Sequence, residues 1–272
     1  LTRSSSAPDP RNELVFEIAR LTRELRPDLV MMENVPGLAM KGEAHFNKLL
    51  RSLRAMSYRL AWGVLQVADY GVPQRRRRLV LFASRKFQPS LPAPTHSRGG
   101  KNGLPKWRSL RDLSGQMSTL GTPNTLSAAL AAGGPSNTDW HVVRDISSAN
   151  KTRLRHAKPG GRWSKIPKRS RPECHQDLSS GFQNVYGRMT WDEPAPTITG
   201  GCTTPSKGRF GHPDQLRTIS VREAALIQTF PVDYQFVTNY MEFACTMIGN
   251  ALPCDFAEHL ATSLLQQHVA NS

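Results

Sequence analysis

The chain has 272 residues and a mass of 30.2 kDa, a length that suits one large domain or two small ones. No apolar run approaches the ~20 residues of a membrane span, the Ser/Pro-rich start (residues 1–11) lacks an apolar signal core, and four scattered cysteines exclude a disulfide scaffold or paired CxxC zinc sites. With 36 Lys plus Arg against 21 Asp plus Glu, a formal net charge of +15 and a pI of about 10.3, the composition points to acidic partners, nucleic acid above all, in a reducing cytoplasm.

Residues 10–26 predict an amphipathic helix capped by Asp9, with Pro10 in its first turn and Leu14, Ile18, Leu21 and Leu25 as the apolar stripe. Pro27 ends it. Leu29-Val30-Met31-Met32 then reads as a short buried parallel strand that stops at Glu33-Asn34-Val35-Pro36-Gly37. Residues 43–56 predict a second helix, and 58–68 and 78–84 two strands around Gln74 and the run Arg75 to Arg78. From about residue 88 to 215 Pro, Gly, Ser, Arg and Lys dominate. Within that stretch, residues 151–172 hold nine Lys/Arg, no Asp/Glu, and Trp163. Such a block is either a solvated loop or a phosphate-contacting surface. Ser220 and Glu223 match a capping box opening a helix over 220–230, and Pro253 begins a last helix over 253–268. Three parts result: an α/β part (1–88), a basic, loop-rich part (89–216), and a C-terminal part (217–272) that returns to the first.

Several residues carry candidate chemistry. Glu33 ends a predicted buried strand, where open α/β sheets bind ligands. Partial desolvation there would raise its pKa and make a protonated, donating form accessible, unless Glu33 simply caps or ion-pairs. Strand alternation sends Arg76 and Arg78 to one side and Arg75 and Arg77 to the other. Their guanidinium forks suit carbonyl and phosphate oxygens, or form a plain basic turn. Gly249-Asn250 reads as a turn at a helix N-terminus, offering backbone N–H groups to a ligand or acting as an ordinary cap. Cys254 has no adjoining base and reads as a buried structural thiol; Cys202, among glycines, is no stronger a nucleophile. Cys174-His175 lacks partner ligands at metal spacing, so no metal site is expected.

Taken in order, the motifs are specific. Asp9-Pro10-Arg11-Asn12 precedes Glu33-Asn34-Val35-Pro36-Gly37-Leu38, then Ala68 to Arg78, then Pro92-Ala93-Pro94-Thr95-His96. Later come Tyr186-Gly187-Arg188, Trp191-Asp192, Pro194 to Thr199, Gly208 to Pro213, Val221 to Ala225 with Gln228-Thr229-Phe230-Pro231, and Ile248 to Pro253. Over essentially its whole length the chain resembles the bacterial DNA (cytosine-5) methyltransferases, from just after their catalytic loop to their C-terminus.

The resemblance implies an α/β fold: part of the Rossmann-like sheet of an S-adenosylmethionine-dependent methyltransferase, plus a smaller, loop-rich target-recognition domain. It implies methyl transfer from S-adenosylmethionine to C5 of a flipped-out cytosine in double-stranded DNA, in a bacterial restriction-modification setting. Glu33 matches the glutamate that bonds the cytosine N3 and amine, and Arg76 and Arg78 match the QxRxR arginines, the second holding the cytosine carbonyl. Asn250, followed by Ala251, matches the turn that contributes to the cofactor pocket. Arg222 and Glu223 match a helix that organises the recognition region. The basic middle, with Arg153, Arg155, Arg162, Lys165, Lys168 and Arg169, matches the region that reads DNA.

The departures are as informative. The family's Gly-rich cofactor loop and its catalytic Pro-Cys are absent from these 272 residues, and Pro253-Cys254 stands where the family has Pro-Pro. Met247 replaces a common Gln, and Ser57-Tyr58 a common Gly-Tyr. The chain starts at Leu1 rather than Met. The sequence therefore predicts a sheet with an open edge beside residues 29–34, low stability alone, and no nucleophile of its own. The alternatives are one subunit of a split enzyme that needs a complementing N-terminal fragment, a non-catalytic DNA-binding remnant, or a tRNA-methylating relative.

Overall fold

A computed structural model of the chain describes residues 13–135, 139–161, 164, 166–176 (without the Cys174 side chain) and 185–271. The fold divides into two units. One comprises the chain up to Tyr70, residues Arg77–Thr95 and residues from Phe256 onward; the other comprises Gly71–Arg76 and His96–Asp255.

The first unit begins with α1 (Val15–Leu25). The predicted cap residues Asp9 and Pro10 lie outside the described residues. The helix buries Val15, Ala19 and Thr22, whereas of the predicted stripe Leu14, Leu21 and Leu25 are exposed and only Ile18 is half-buried against the core. The buried stripe is thus one position out of phase with the predicted one. Residues 15, 19 and 22 have the same i, i+4, i+7 spacing as the leucines, and small Ala19 and Thr22 permit close approach to a second helix.

Strand β1 (Leu29–Asn34) leads through a 3-10 turn (Pro36–Ala39) into α2 (Glu43–Ala55), which buries Phe46, Leu49, Leu50 and Leu53. Strands β2 (Arg59–Gln66) and β3 (Arg77–Ser84) follow. The sheet order is β1-β3-β2, and both pairings are antiparallel. The expected buried parallel strand over 29–32 is therefore an antiparallel edge strand, with Met31 exposed. A short apolar run signals burial, but strand direction is set by a partner some 50 residues away.

Register sorts the faces. Met32, Leu79, Leu81 and Ala83 pack with the buried residues of α1 and α2. Leu49, Leu53, Leu79 and Leu81 are wholly buried, each contributing about 1.5–3 kcal/mol of apolar transfer. Glu33, Val80 and Phe82 lie on the opposite face. The unit also takes in the C-terminal helix (Cys254–Ala270) from Phe256 onward, and the Phe256 ring lies 5.0 Å from that of Tyr70.

The second unit holds only short elements: α3 (Ser114–Thr119), β4 (Asn124–Thr125), α4 (Leu126–Ala131), β5 (Val142–Val143), α5 (Ser148–His156), α6 (Val221–Ile227) and α7 (Met241–Asn250). It nonetheless has a continuous core built around α6, whose seven residues are all buried. The predicted capping box is present. Ser220 Oγ accepts from Glu223 N–H at 3.0 Å, and Glu223 Oε2 accepts from Ser220 N–H at 2.7 Å. A helix buried all round needs neighbours on every side. Leu110, Trp140, Phe210 and Ile248 share that core. Helices α6 and α7 consequently belong with residues 96–255, and the part predicted over 217–272 divides at residue 255.

Candidate functional site

In the first unit, Glu33 pairs in register with Val80, so its side chain shares a sheet face with Arg78, the diagonal neighbour two residues earlier. Arg78 Nε lies 2.5 Å from Glu33 Oε1, with the two side chains 13% and 26% exposed. Burial pulls the Arg78 guanidinium down from its ordinary pKa, and Glu33 opposes that shift. Of the two environments the sequence left open for Glu33, this is the ion-paired one. The pair places an acceptor and a multidentate donor side by side, half-open to solvent.

Arg76 has a different environment. It is 1% exposed, and its guanidinium donates to three carbonyls of the second unit: Ile198 at 2.7 Å, Gly249 at 2.9 Å and Ala251 at 3.0 Å. Gln74, also wholly buried, donates to Gln228 Oε1 at 2.7 Å and accepts from Ile198 N–H at 3.0 Å. Gln228 in turn donates to the Ile248 carbonyl at 2.6 Å. Buried amides and guanidinium groups are tolerable only when paired in this way. Nothing in the sequence marks Gln228 as a partner of a residue 154 positions earlier. Alternation does anticipate the burial pattern, with Arg76 and Arg78 shielded and Arg77 exposed.

The turn at 249–253 corrects one reading. Gly249 and Asn250 close α7 rather than open a helix, and Ala251 N–H is already bonded to the Met247 carbonyl. The next helix begins at Cys254, whose N–H donates to the Gln228 carbonyl; Asp255 N–H donates to Thr229 Oγ1. Backbone N–H groups there are used internally, and what the turn presents is the exposed Asn250 side chain beside half-buried Ala251. The Asn250 amide, with one acceptor and two donors, fits a polar cofactor group, and small Ala251 leaves room for it.

The cysteines differ in environment. Cys202 and Cys245 are buried, and Cys202 is held well above the usual thiol range by its hydrogen bond to Cys245 and by burial. Cys254 is half-buried, and burial raises it as well. Cys245 is pulled below its ordinary value by the hydrogen bond with Cys202, against burial, but it is buried out of a substrate's reach. Among the described residues no group of three or more His, Cys, Asp or Glu could hold a metal, and no helix is long and apolar enough to cross a membrane.

The basic candidates separate by environment. Arg153 is half-buried, donating to the Ser170 carbonyl at 2.9 Å and to Asn150 Oδ1 at 2.6 Å. Arg155, Lys168 and Arg169 are exposed. Arg162, Lys165 and Trp163 lie outside the described residues. A cleft of about 530 Å³ that the sequence did not signal lies in the same unit, lined by Arg75, Gly160, Thr190, Glu193, Pro196, Thr197 and Arg209. Helix α6 is held by buried charge. Glu223 accepts two hydrogen bonds from Arg217, both 2.7 Å, and Arg222 donates to the Tyr234 carbonyl at 2.8 Å.

A family model for C-5 cytosine-specific DNA methylases matches residues 2–266. The chain belongs to that family. It is 38% identical over 258 residues to the Type II methylase M.HgiDII of Herpetosiphon aurantiacus, covering 93% of this chain and 68% of that protein. It is 30% identical over 266 residues to the Type II methyltransferase M1.BsuMI of Bacillus subtilis, covering 98% and 58%. The chain thus spans about three fifths to two thirds of these relatives. The S. pombe Dnmt2 methyltransferase shares the fold at a TM-score of 0.59 and 16% identity, over 96% of this chain and 74% of that one. The Spodoptera frugiperda DNMT2 triple mutant does so at 0.56 and 14%, over 97% and 76%. S-adenosylmethionine is the methyl donor of the C-5 methylase family.

Proposed function

We propose that the chain supplies the base-holding and DNA-reading parts of a C-5 cytosine methyltransferase acting on double-stranded DNA, with the thiolate nucleophile coming from outside these residues. The Glu33–Arg78 pair carries the reading. A cytosine presents a carbonyl, a ring nitrogen and an amine along one edge, and a carboxyl beside a guanidinium matches those groups. Arg78 donates to the carbonyl oxygen. Glu33 accepts from the amine and, when protonated, donates to N3, offsetting charge that develops on the ring. Reaching that edge requires the base to leave the duplex.

Bound S-adenosylmethionine supplies the methyl group, and Asn250 with Ala251 would hold it. Arg76 then acts as a positioning residue. Its guanidinium is spent on carbonyls, including those flanking Asn250, and leaves Arg78 to meet the base. The exposed Arg155, Lys168 and Arg169 contact phosphates, and Glu223 with Arg222 fixes the helix that organises this region. The cysteines support a missing nucleophile, because every described thiol is buried or shifted toward its neutral form.

The test is methyl transfer to duplex DNA from labelled S-adenosylmethionine. The chain alone should give none, and adding a segment that bears a Pro-Cys loop should restore transfer. In the restored reaction Glu33→Gln should slow single-turnover chemistry by roughly 10²-fold or more. Transfer by the chain alone would disprove the missing nucleophile, and an unchanged Glu33→Gln rate would remove Glu33 from the chemistry.

A further inference from the structure

The cleft of about 530 Å³ contains one ion pair whose surroundings are unlike those of its neighbours. Arg75 Nη2 lies 2.6 Å from Glu193 Oε2, with the side chains 33% and 52% exposed. The Arg75 backbone is fixed on both sides: its N–H donates to the Ala195 carbonyl at 2.8 Å, and its carbonyl accepts from Thr197 Oγ1 at 2.8 Å. Gln74 and Arg76, immediately before and after it, are wholly buried. Arg75 is therefore a guanidinium launched from a backbone bonded on both sides into an open cleft, where it is ion-paired with a solvent-facing carboxylate.

The rest of the lining suits an anion with several oxygens. Thr190 brings a hydroxyl, and Arg209 brings a second guanidinium, which donates to the Gly160 carbonyl at 3.2 Å; the Thr197 hydroxyl is already donated to the Arg75 carbonyl. Gly160 belongs to the stretch that carries nine Lys/Arg and no acid. Glu193 is the single carboxylate in the lining. An exposed Arg–carboxylate pair contributes little net stability, about 0–1 kcal/mol, so exchanging one oxyanion for another there is cheap. A phosphodiester presents oxygens in the geometry of a carboxylate.

We infer that Arg75 is a phosphodiester-contacting residue, that Glu193 occupies its guanidinium until a DNA phosphate displaces it, and that this exchange sets the affinity of the recognition unit for DNA. The inference rests on the DNA-acting function proposed above and adds a contact outside the basic stretch 151–172. It has a definite sign. An acid that reads a base edge loses affinity when neutralised, whereas an acid that blocks an arginine gains it.

The experiment is equilibrium binding of the full chain to a labelled duplex by fluorescence anisotropy across a salt series. Glu193→Gln should tighten binding about 2- to 10-fold at low salt. Arg75→Ala should weaken it and flatten the salt dependence by about one phosphate, a change of ~0.9 in the log–log slope. The gain from Glu193→Gln should vanish in the Arg75→Ala background. Asp192→Asn, which removes an adjacent exposed carboxylate paired instead with Arg111 at 2.6 Å, measures the general effect of losing one negative charge and should give the smaller gain. Weaker or unchanged binding by Glu193→Gln, a gain no larger than that of Asp192→Asn, or a gain that persists without Arg75 would each overturn the inference. A wild-type chain that binds no duplex at all would instead overturn the proposed function, and this inference with it.

Discussion

Arg76→Met separates a positioning role from a substrate contact. The substitution keeps an apolar stem of similar length and removes the guanidinium that donates to the Ile198, Gly249 and Ala251 carbonyls. The Ala251 carbonyl keeps a bond from Gln228 Nε2 at 3.1 Å, so the principal losses fall on Ile198 and Gly249. A buried carbonyl that loses its partner costs about 1–3 kcal/mol, so two of them put the loss at roughly 2–6 kcal/mol, less what is regained by no longer desolvating a charge. A value near ~3 kcal/mol is a large share of the ~5–15 kcal/mol by which a domain is stable. Urea unfolding, followed through the fluorescence of buried Trp140 in the same unit, reads it directly. Arg78→Met is the control. Its partner Glu33 is half-open to solvent, and the loss of stability should be about 1 kcal/mol. If Arg76→Met unfolds at the wild-type midpoint, the three carbonyl bonds are not holding the second unit, and the positioning role of Arg76 is refuted.

The other expectations concern packing, charge and pH. A Cβ on Gly249 would lie 2.2 Å from both Gly200 N and Thr199 C, so Gly249→Ala should lower stability by about 3 kcal/mol or more in the same unfolding assay; a neutral effect would show that the two segments can part freely. Replacing exposed Arg155, Lys168 and Arg169 with Ala should flatten the salt slope of DNA binding by up to ~0.9 per residue, whereas Arg153→Ala should mainly destabilise; an unchanged slope for the triple variant would place those charges in solvent only. Burial holds His212 down at about 4 against an ordinary 6.5, partly countered by Glu223, while Arg217 overcomes the effect of burial on Glu223 and holds it below its ordinary 4.5. For His212 the unfolded chain takes up the proton first, so stability should fall by up to about 3 kcal/mol as pH drops from about 6.5 to about 4, and the Glu223 contribution is lost further down as pH passes its lowered folded value. Asn can accept from Asp214 and Gln215 N–H, as His212 Nδ1 does at 3.1 Å, so His212→Asn should remove the upper part of that slope; a slope that survives would assign it to other groups.

What was legible in the sequence was local. The helix over 43–55, the strands at 59–66 and 77–84 and the Ser220–Glu223 box are each set by residues a few positions apart, through apolar periodicity or a capping pair. The buried face of α1 was not legible, because two stripes with the same spacing compete and only the packing surface chooses between them. The direction of β1 depends on β3, and the exchangeable Arg75–Glu193 pair spans more than a hundred residues.

The arginine run shows most clearly why motif and role come apart. Arg76 and Arg78 sit two positions apart with the same side chain, but Arg76 is fully buried and Arg78 only partly so. Arg76 donates to three backbone carbonyls, 122 to 175 residues away in the chain, and the Ile198 and Gly249 carbonyls depend on it most. Exchanging that set for a ligand would leave carbonyls unpaired, so the guanidinium is committed. Arg78 meets the Glu33 carboxylate on a half-open sheet face and the carbonyl of its neighbour Arg77, partners that water or a base edge can replace at small cost. Arg75 meets a still more exposed carboxylate and is more exchangeable again. The order of commitment, Arg76 over Arg78 over Arg75, follows from what each fork touches and how far that partner is from water, and neither quantity is written in the four identical letters of the sequence.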